Sequence, residues 1–308
     1  MAYRNSGTNQ KITSEELFTG KENECKKCLN LVALPCLCVD VFDGTNEMRA
    51  GGEALNFAAH ASRFGEINVS LIGAVGQDAY ADCIMDSISD KKIDVSHIRV
   101  EKGKVTAHNR TYLTPDGDRY YKEDSWTGDI VDKMILNRDE LEVVKRADIV
   151  FVHFWAGCFN QIIELKKKSN FKLAVDFDQY RDFEDMGKYA PYVDYFMISG
   201  EERLLPRFEE FSKKYNGLFN MSLADKGSVT YYSGTQYTVP AKEVNDIIDT
   251  TGCGDSYHAG FVCSHMINGD IQEAMIVGTE FATETLSHYG GFAVRSLQSR
   301  CFQKEEKL

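Results

Sequence analysis

From Leu29 to Ser287 the chain alternates short apolar runs, rich in β-branched residues, with stretches whose apolar residues recur at helical spacing. Few folds accept such a string. Strands joined through helices pair in parallel, and a parallel sheet has to be covered on both faces. The pattern therefore predicts an α/β domain built on a mainly parallel sheet. Predicted strands run over Leu29–Val41, with Asp40 at the end, and over Val69–Gly73, Asp148–Phe154, Lys172–Asp176, Tyr192–Ile198, Leu218–Leu223, Val229–Tyr232 and Tyr237–Val239. Helices are predicted after Gly51-Gly52, where Ala54, Phe57, Ala61 and Phe64 share a face, and over Tyr80–Lys91, Arg138–Arg146, Asn160–Lys168, Phe183–Tyr189, Glu201–Tyr215, Gly254–Ile267 and Glu273–Ser287. Between them, Thr114-Pro115-Asp116-Gly117-Asp118 is a turn sequence, so Lys104–Leu113 and Arg119–Lys122 read as a hairpin.

With 308 residues, 43% of them hydrophobic, the chain can bury a large single core. Forty-seven acidic residues against 35 basic ones give a net charge of −12, which repels nucleic acid and anionic membrane. Residues 1–28 are polar and read as an N-terminal extension, with Thr13-Ser14-Glu15-Glu16 as a candidate capping box. No apolar export segment precedes Leu31, and nine cysteines leave one unpaired, so a reducing, cytoplasmic setting is expected. Cys25 and Cys28 followed by Cys36 and Cys38 have the wrong second spacing for a zinc site. His258 and His265 share a helix face but lack a third ligand at metal spacing, and read as polar packing.

The chemistry concentrates in Asp249-Thr250-Thr251-Gly252-Cys253-Gly254-Asp255. Glycines let a backbone approach a ligand, and a helix starting near Cys253 aims its free N–H groups and positive dipole end at the same space. Asp255 falls in that first turn. Amides that hold negative charge, beside a carboxylate that can take a proton, are what phosphoryl transfer to a hydroxyl requires.

Together with Ala259-Gly260-Phe261-Val262, this string resembles the C-terminal signature of the ribokinase-like (PfkB) carbohydrate kinases, with Cys253 where the family usually has Ala. Four more regions follow in family order. Gly51-Gly52-Glu53-Ala54-Leu55-Asn56, through Arg63-Phe64-Gly65, resembles the sugar-admitting N-terminal signature. Gly73 to Asp78 resembles a third motif, here read as mostly structural. Ser199-Gly200-Glu201-Glu202 stands where the family has Asn-x-x-Glu. Ser222 to Gly227 stands where it has Thr-x-Gly-x-x-Gly, with Ala224 for the first Gly.

The resemblance implies a three-layer α/β/α fold, with a small β lid near residues 41–50 and 103–122 on a kinase domain spanning 29–308. It implies transfer of the ATP γ-phosphoryl group to a sugar hydroxyl, with Mg2+. Asp255 would be the base, and the amides of Gly252, Cys253 and Gly254 would stabilise the transferring group. Asp40, Gly51, Gly52, Asn56 and Arg119 would hold the acceptor. Ser199, Glu202, Ser222, Ala224, Gly227 and Thr251 would face ATP, with Glu202 reaching the metal through water. Finer features resemble the fructoselysine-phosphorylating branch, among them Asp118-Arg119, Trp155 and Asp176-Phe177-Asp178. They imply a ketose or fructosamine acceptor. Ribose or a nucleoside is the alternative within the family. A non-catalytic sensor on the same fold is a further rival, opposed by the retention of Asp255. A dinucleotide oxidoreductase would need Gly-x-Gly-x-x-Gly after the first strand, and Leu37–Thr45 has none. Neither residues nor resemblance decide the oligomeric state, a homodimer included.

Overall fold

The computed structural model describes residues 28–113 and 119–294. The expectations for the extension and for the tip of the hairpin lie outside the described residues. Two sheets are built.

β1 (Leu29–Leu34) lies in the large one, and the chain leaves it at Pro35, which has no N–H for a ladder. It resumes as β2 (Cys38–Phe42) in the small sheet, beside β3 (Met48–Gly51). The single strand expected over Leu29–Val41 is thus two strands in different sheets, and Asp40 belongs to the small one. Next come α1 (Glu53–Ala61), β4 (Ile67–Val75), α2 (Ala79–Ser87) and β5 (Ile93–Val100). β6 (His108–Leu113), β7 (Arg119–Tyr120) and β8 (Trp126–Thr127) complete the small sheet, in which β2 pairs parallel with β6 and the hairpin partners are antiparallel.

A short α3 (Asp129–Asp132) and α4 (Arg138–Arg146) lead back to the large sheet. There β9 (Ile149–His153), α5 (Phe159–Lys166), β10 (Lys172–Asp176), α6 (Phe183–Tyr189), β11 (Tyr195–Ser199), α7 (Leu205–Lys214) and β12 (Leu218–Ser222) alternate. β13 (Ser228–Tyr232), β14 (Thr235–Val239), α8 (Cys253–Asn268) and α9 (Ile271–Thr285) end the fold.

The large sheet has the order β14-β13-β12-β11-β10-β9-β1-β4-β5 and is parallel from β12 to β5. One core packs α1, α2, α8 and α9 on one face, and a second packs α4 to α7 on the other. The three layers are as expected. β5 escaped the sequence reading because it is an edge strand of half-exposed residues whose alternation is interrupted; its pairing with β4 shifts register between Ser70 and Ile72. The helix expected from Glu201 starts with a 3-10 turn over Glu202–Leu204 and becomes α-helical only at Leu205, with Pro206 in the first turn. From β1 the chain first builds outward to β4 and β5, and later from β9 to β12 on the other side. That reversal opens a crevice at the carboxyl ends of the strands, where ligands of open α/β sheets bind.

Candidate active site

α8 begins in that crevice, and the loop before it is braced from within. Buried Asp249 accepts hydrogen bonds at Oδ1 from the Thr251 N–H (3.0 Å) and hydroxyl (2.7 Å), and at Oδ2 from the Gly290 N–H (2.8 Å). Gly252 then turns the backbone at φ +70°, and a Cβ there would come within 2.5 Å of the Gly291 Cα. No side chain caps α8, and the space a Cβ on Gly254 would occupy has no heavy atom within 4 Å. The first-turn amides therefore face an open volume with the dipole behind them, an arrangement that suits an anion.

On the acceptor side, Asn56 of α1 donates from Nδ2 to Asp255 Oδ2 at 2.8 Å. Its Oδ1 is buried and has no hydrogen-bond partner. Asp40, on β2, accepts at Oδ1 from the Thr111 hydroxyl at 3.1 Å. A Cβ on Gly51 would sit 3.8 Å from Asp40 Oδ2 and 4.0 Å from Asn56 Oδ1, so both oxygens overlook one small space floored by glycine. Gly52 serves differently. Its φ is +101°, and a Cβ would meet the Cys36 carbonyl at 2.6 Å. Asp40, Gly51, Gly52, Asn56 and Asp255 are thus brought together. The backbone of Arg119 pairs with Leu113, and the expectation for its side chain lies outside the described residues.

Burial, then the nearby Glu53 and Asp176 carboxylates, push the Asp255 carboxyl up to about 7; Asn56 and His258 hold it from rising further. A carboxylate tuned to this value is half ionised near neutrality and is matched to general-base work.

On the other side of the α8 N-terminus lies a cavity of about 760 Å³. Ser199, Ser222, Ala224 and Gly227 line it, with Cys253 and Gly254 opposite. Ala224 adopts φ +52°, a left-handed conformation that favours glycine. Two expected residues do not line the cavity. Thr251 is turned to Asp249, and Glu202 is exposed and paired with Lys226 at 2.5 Å. Glu201, one residue earlier, lines it instead. The sequence reading also missed Arg181. Its guanidinium donates to the carbonyls of Tyr180 (2.8 Å), Asp178 (3.3 Å) and Ser199, and it lines the same cavity. A basic residue five positions beyond the end of an otherwise acidic strand terminus was the available signal. Cys253 is half-buried with Sγ 3.7 Å from the Ala282 carbonyl, and burial pushes its thiol up to about 12, so it is no nucleophile.

Of the two histidines read as polar packing, His265 fits, with Nδ1 2.8 Å from the Tyr195 hydroxyl. His258 faces Asp176 and Asp255 instead. Cys28 is exposed while Cys36 and Cys38 are buried. Among the described residues no helix is long and apolar enough to cross a membrane.

The sequence profile of the pfkB family carbohydrate kinases matches residues 40–295. A fructoselysine 6-kinase of Escherichia coli (strain K12) is 27% identical over 258 residues, which is 83% of this chain and 96% of that one. A fructosamine kinase of Bacillus subtilis (strain 168) is 27% identical over 272 residues, covering 86% and 93%. Among solved structures, Arabidopsis thaliana ribokinase complexed with ribose and ATP superposes with a TM-score of 0.69 at 19% identity, covering 86% of this chain and 94% of that one. The likeness is one of fold. The chain belongs to the pfkB family of carbohydrate kinases and is an ATP-dependent sugar kinase.

Proposed function

We propose that the acceptor is a ketose carrying an amine-linked substituent, a fructosamine, phosphorylated on its primary hydroxyl. The observation that carries the site assignment is the position of Asp255. It stands at the N-terminus of α8, with the Asn56–Asp40 space on one side and the large cavity on the other. Asp255 takes the proton of the acceptor hydroxyl, and the oxygen attacks the γ-phosphorus in line while ADP leaves. The amides of Gly252, Cys253 and Gly254 stabilise the charge on the transferring group. Asp40 accepts from sugar hydroxyls, and Asn56 orients both sugar and base. Arg181, Ser199 and Ser222 line the nucleotide cavity; Ala282 and Leu286 give it apolar surface for the base.

Mg2+ keeps most of its water and takes oxygen ligands, which the carboxylate of Glu201, at the cavity wall, would suit; Glu202, outside the cavity and paired with Lys226, would first have to release that lysine. When bound, Mg2+ neutralises charge on the triphosphate. The small sheet carries Asp40, the residue proposed to grip the acceptor, so we read it as a lid that excludes water.

The primary hydroxyl is the least hindered for in-line attack, and a chain of net charge −12 attracts a cationic amine. The two relatives named for fructosamine substrates support the same class. The test is kcat/KM with Mg-ATP for fructoselysine, fructose, ribose and a nucleoside side by side. Fructoselysine is expected to lead. A lead of ribose or the nucleoside by more than about tenfold, some 1.4 kcal/mol in transition-state binding, would overturn the acceptor while leaving the kinase.

A further inference from the structure

One buried cluster behind the base is unused by the mechanism above. His258 lies one turn after Asp255 on α8, on the same face. Asp176 ends β10. One ligand-type atom from each of Asp176, Asp255 and His258 lies within 4.8 Å of the others. His258 is 1% exposed and Asp176 7%. His258 Nδ1 is 3.4 Å from Asp176 Oδ2, yet neither ring nitrogen makes a regular hydrogen bond. A neutral imidazole buried in that way leaves both nitrogens without a regular partner and gains little from the acids beside it. An imidazolium in the same place gains the attraction of the Asp176 and Asp255 carboxylates, which a neutral ring does not.

The rest of the surroundings act in the same direction. Asp178 follows β10, Glu53 and Asn56 face Asp255 from α1, and the Cys38 and Cys253 thiols approach from β2 and from the start of α8. His153 on β9 pairs in register with Asp176, is 6% exposed, and also has an unpartnered Nδ1. Net negative charge therefore crowds the base, and a proton on His258 offsets part of it.

We propose that His258, clamped by Asp176, is a positioning residue for the kinase reaction: its imidazolium sits behind Asp255, favours that carboxylate's anionic form against the burial and acids around it, and steadies it toward the acceptor hydroxyl. The inference rests on the reading of Asp255 as the base. His258 keeps its proton throughout; the hydroxyl proton passes to Asp255 and from there to solvent after release of product. Burial works against a charged His258, but the carboxylates of Asp176, Asp255 and Asp178 outweigh it and raise its pKa above the ordinary 6.5.

The experiment has two arms. In the first, His258→Gln, which keeps size and polarity without charge, is assayed for kcat/KM of the sugar against pH. The acidic limb is expected to move up by about one unit, the lower end of what an opposite charge at this distance gives, with KM for ATP changed by less than about twofold. A folded His258→Gln enzyme whose limb stays in place overturns the proposal. The second arm needs no His258 variant. The His258 ring signal is followed by NMR against pH in the wild-type protein and in Asp255→Asn. A raised midpoint that falls in Asp255→Asn is expected. A ring that stays neutral at pH 6.5, or a midpoint indifferent to Asp255→Asn, overturns it even if His258→Gln does not fold. Full turnover by Asp255→Asn would instead sink the base assignment, a separate failure that this titration does not produce.

Discussion

Replacing Asp255 with Asn tests chemistry and electrostatics in one variant. The amide keeps the shape and can still accept the 2.8 Å hydrogen bond from Asn56, but it takes no proton. A positioned base contributes about 10²- to 10⁴-fold, so kcat should fall by that much while nucleotide binding survives. The same residue makes a stability prediction of opposite sign. Its carboxyl is raised from 3.8 to about 7, by burial first and by Glu53 next. A raised carboxylate binds more protons folded than unfolded between those two pH values. Stability is therefore full below the unfolded pKa and is lost as pH rises through the folded one. About three units at ~1.4 kcal/mol each set a ceiling of about 4 kcal/mol for that loss. Asn carries no such penalty. Thermal unfolding of Asp255→Asn should thus occur several degrees above wild type at pH 8, with the gap closing toward pH 4. In the wild type, kcat/KM should fall about tenfold from its plateau by pH 6, where about a tenth of a group of this pKa is ionised. Wild-type turnover in the variant, or an unfolding gap that is the same at pH 4 and pH 8, would refute the reasoning.

Cys253→Ala should retain turnover within about twofold of wild type, because the proposed anion site uses the residue's amide and its thiol is held inert by burial; loss of activity in a folded variant would assign the sulfur a role. Gly252→Ala should lower kcat by about 10²-fold or more, since a Cβ at φ +70° and 2.5 Å from the Gly291 Cα displaces the loop, and a shift of ~1 Å can cost that much; steady-state turnover beside circular dichroism separates this from unfolding.

Local features were the most legible. Helical and strand periods set the elements of the large sheet, because each element shows its buried face in its own spacing. Lys172–Asp176 was read with the bounds the structure gives it, and Phe183–Tyr189 likewise. The loop before α8 was legible for the same reason. Glycine conformation and first-turn amides depend on neighbours along the chain, and Gly252 adopts the left-handed turn such a loop needs. Where sequence reasoning failed, distance along the chain was involved. The Leu29–Val41 run is continuous in its apolar pattern, and only the partners available on either side of Pro35 divide it between two sheets. β5 became a strand because β4 offers it an edge.

Composition, order of elements and the Asp249–Asp255 string were enough to specify an α/β fold with an open helix start and a carboxylate in its first turn. They could not specify what that carboxylate does. Its hydrogen bond comes from Asn56, 199 residues away, and its field comes from Glu53, Asp176 and His258 on three separate elements. Desolvation and charge act through space at a single point, so the proton affinity of Asp255, the exclusion of Glu202 from the cavity and the presence of Arg181 in it were settled by folding.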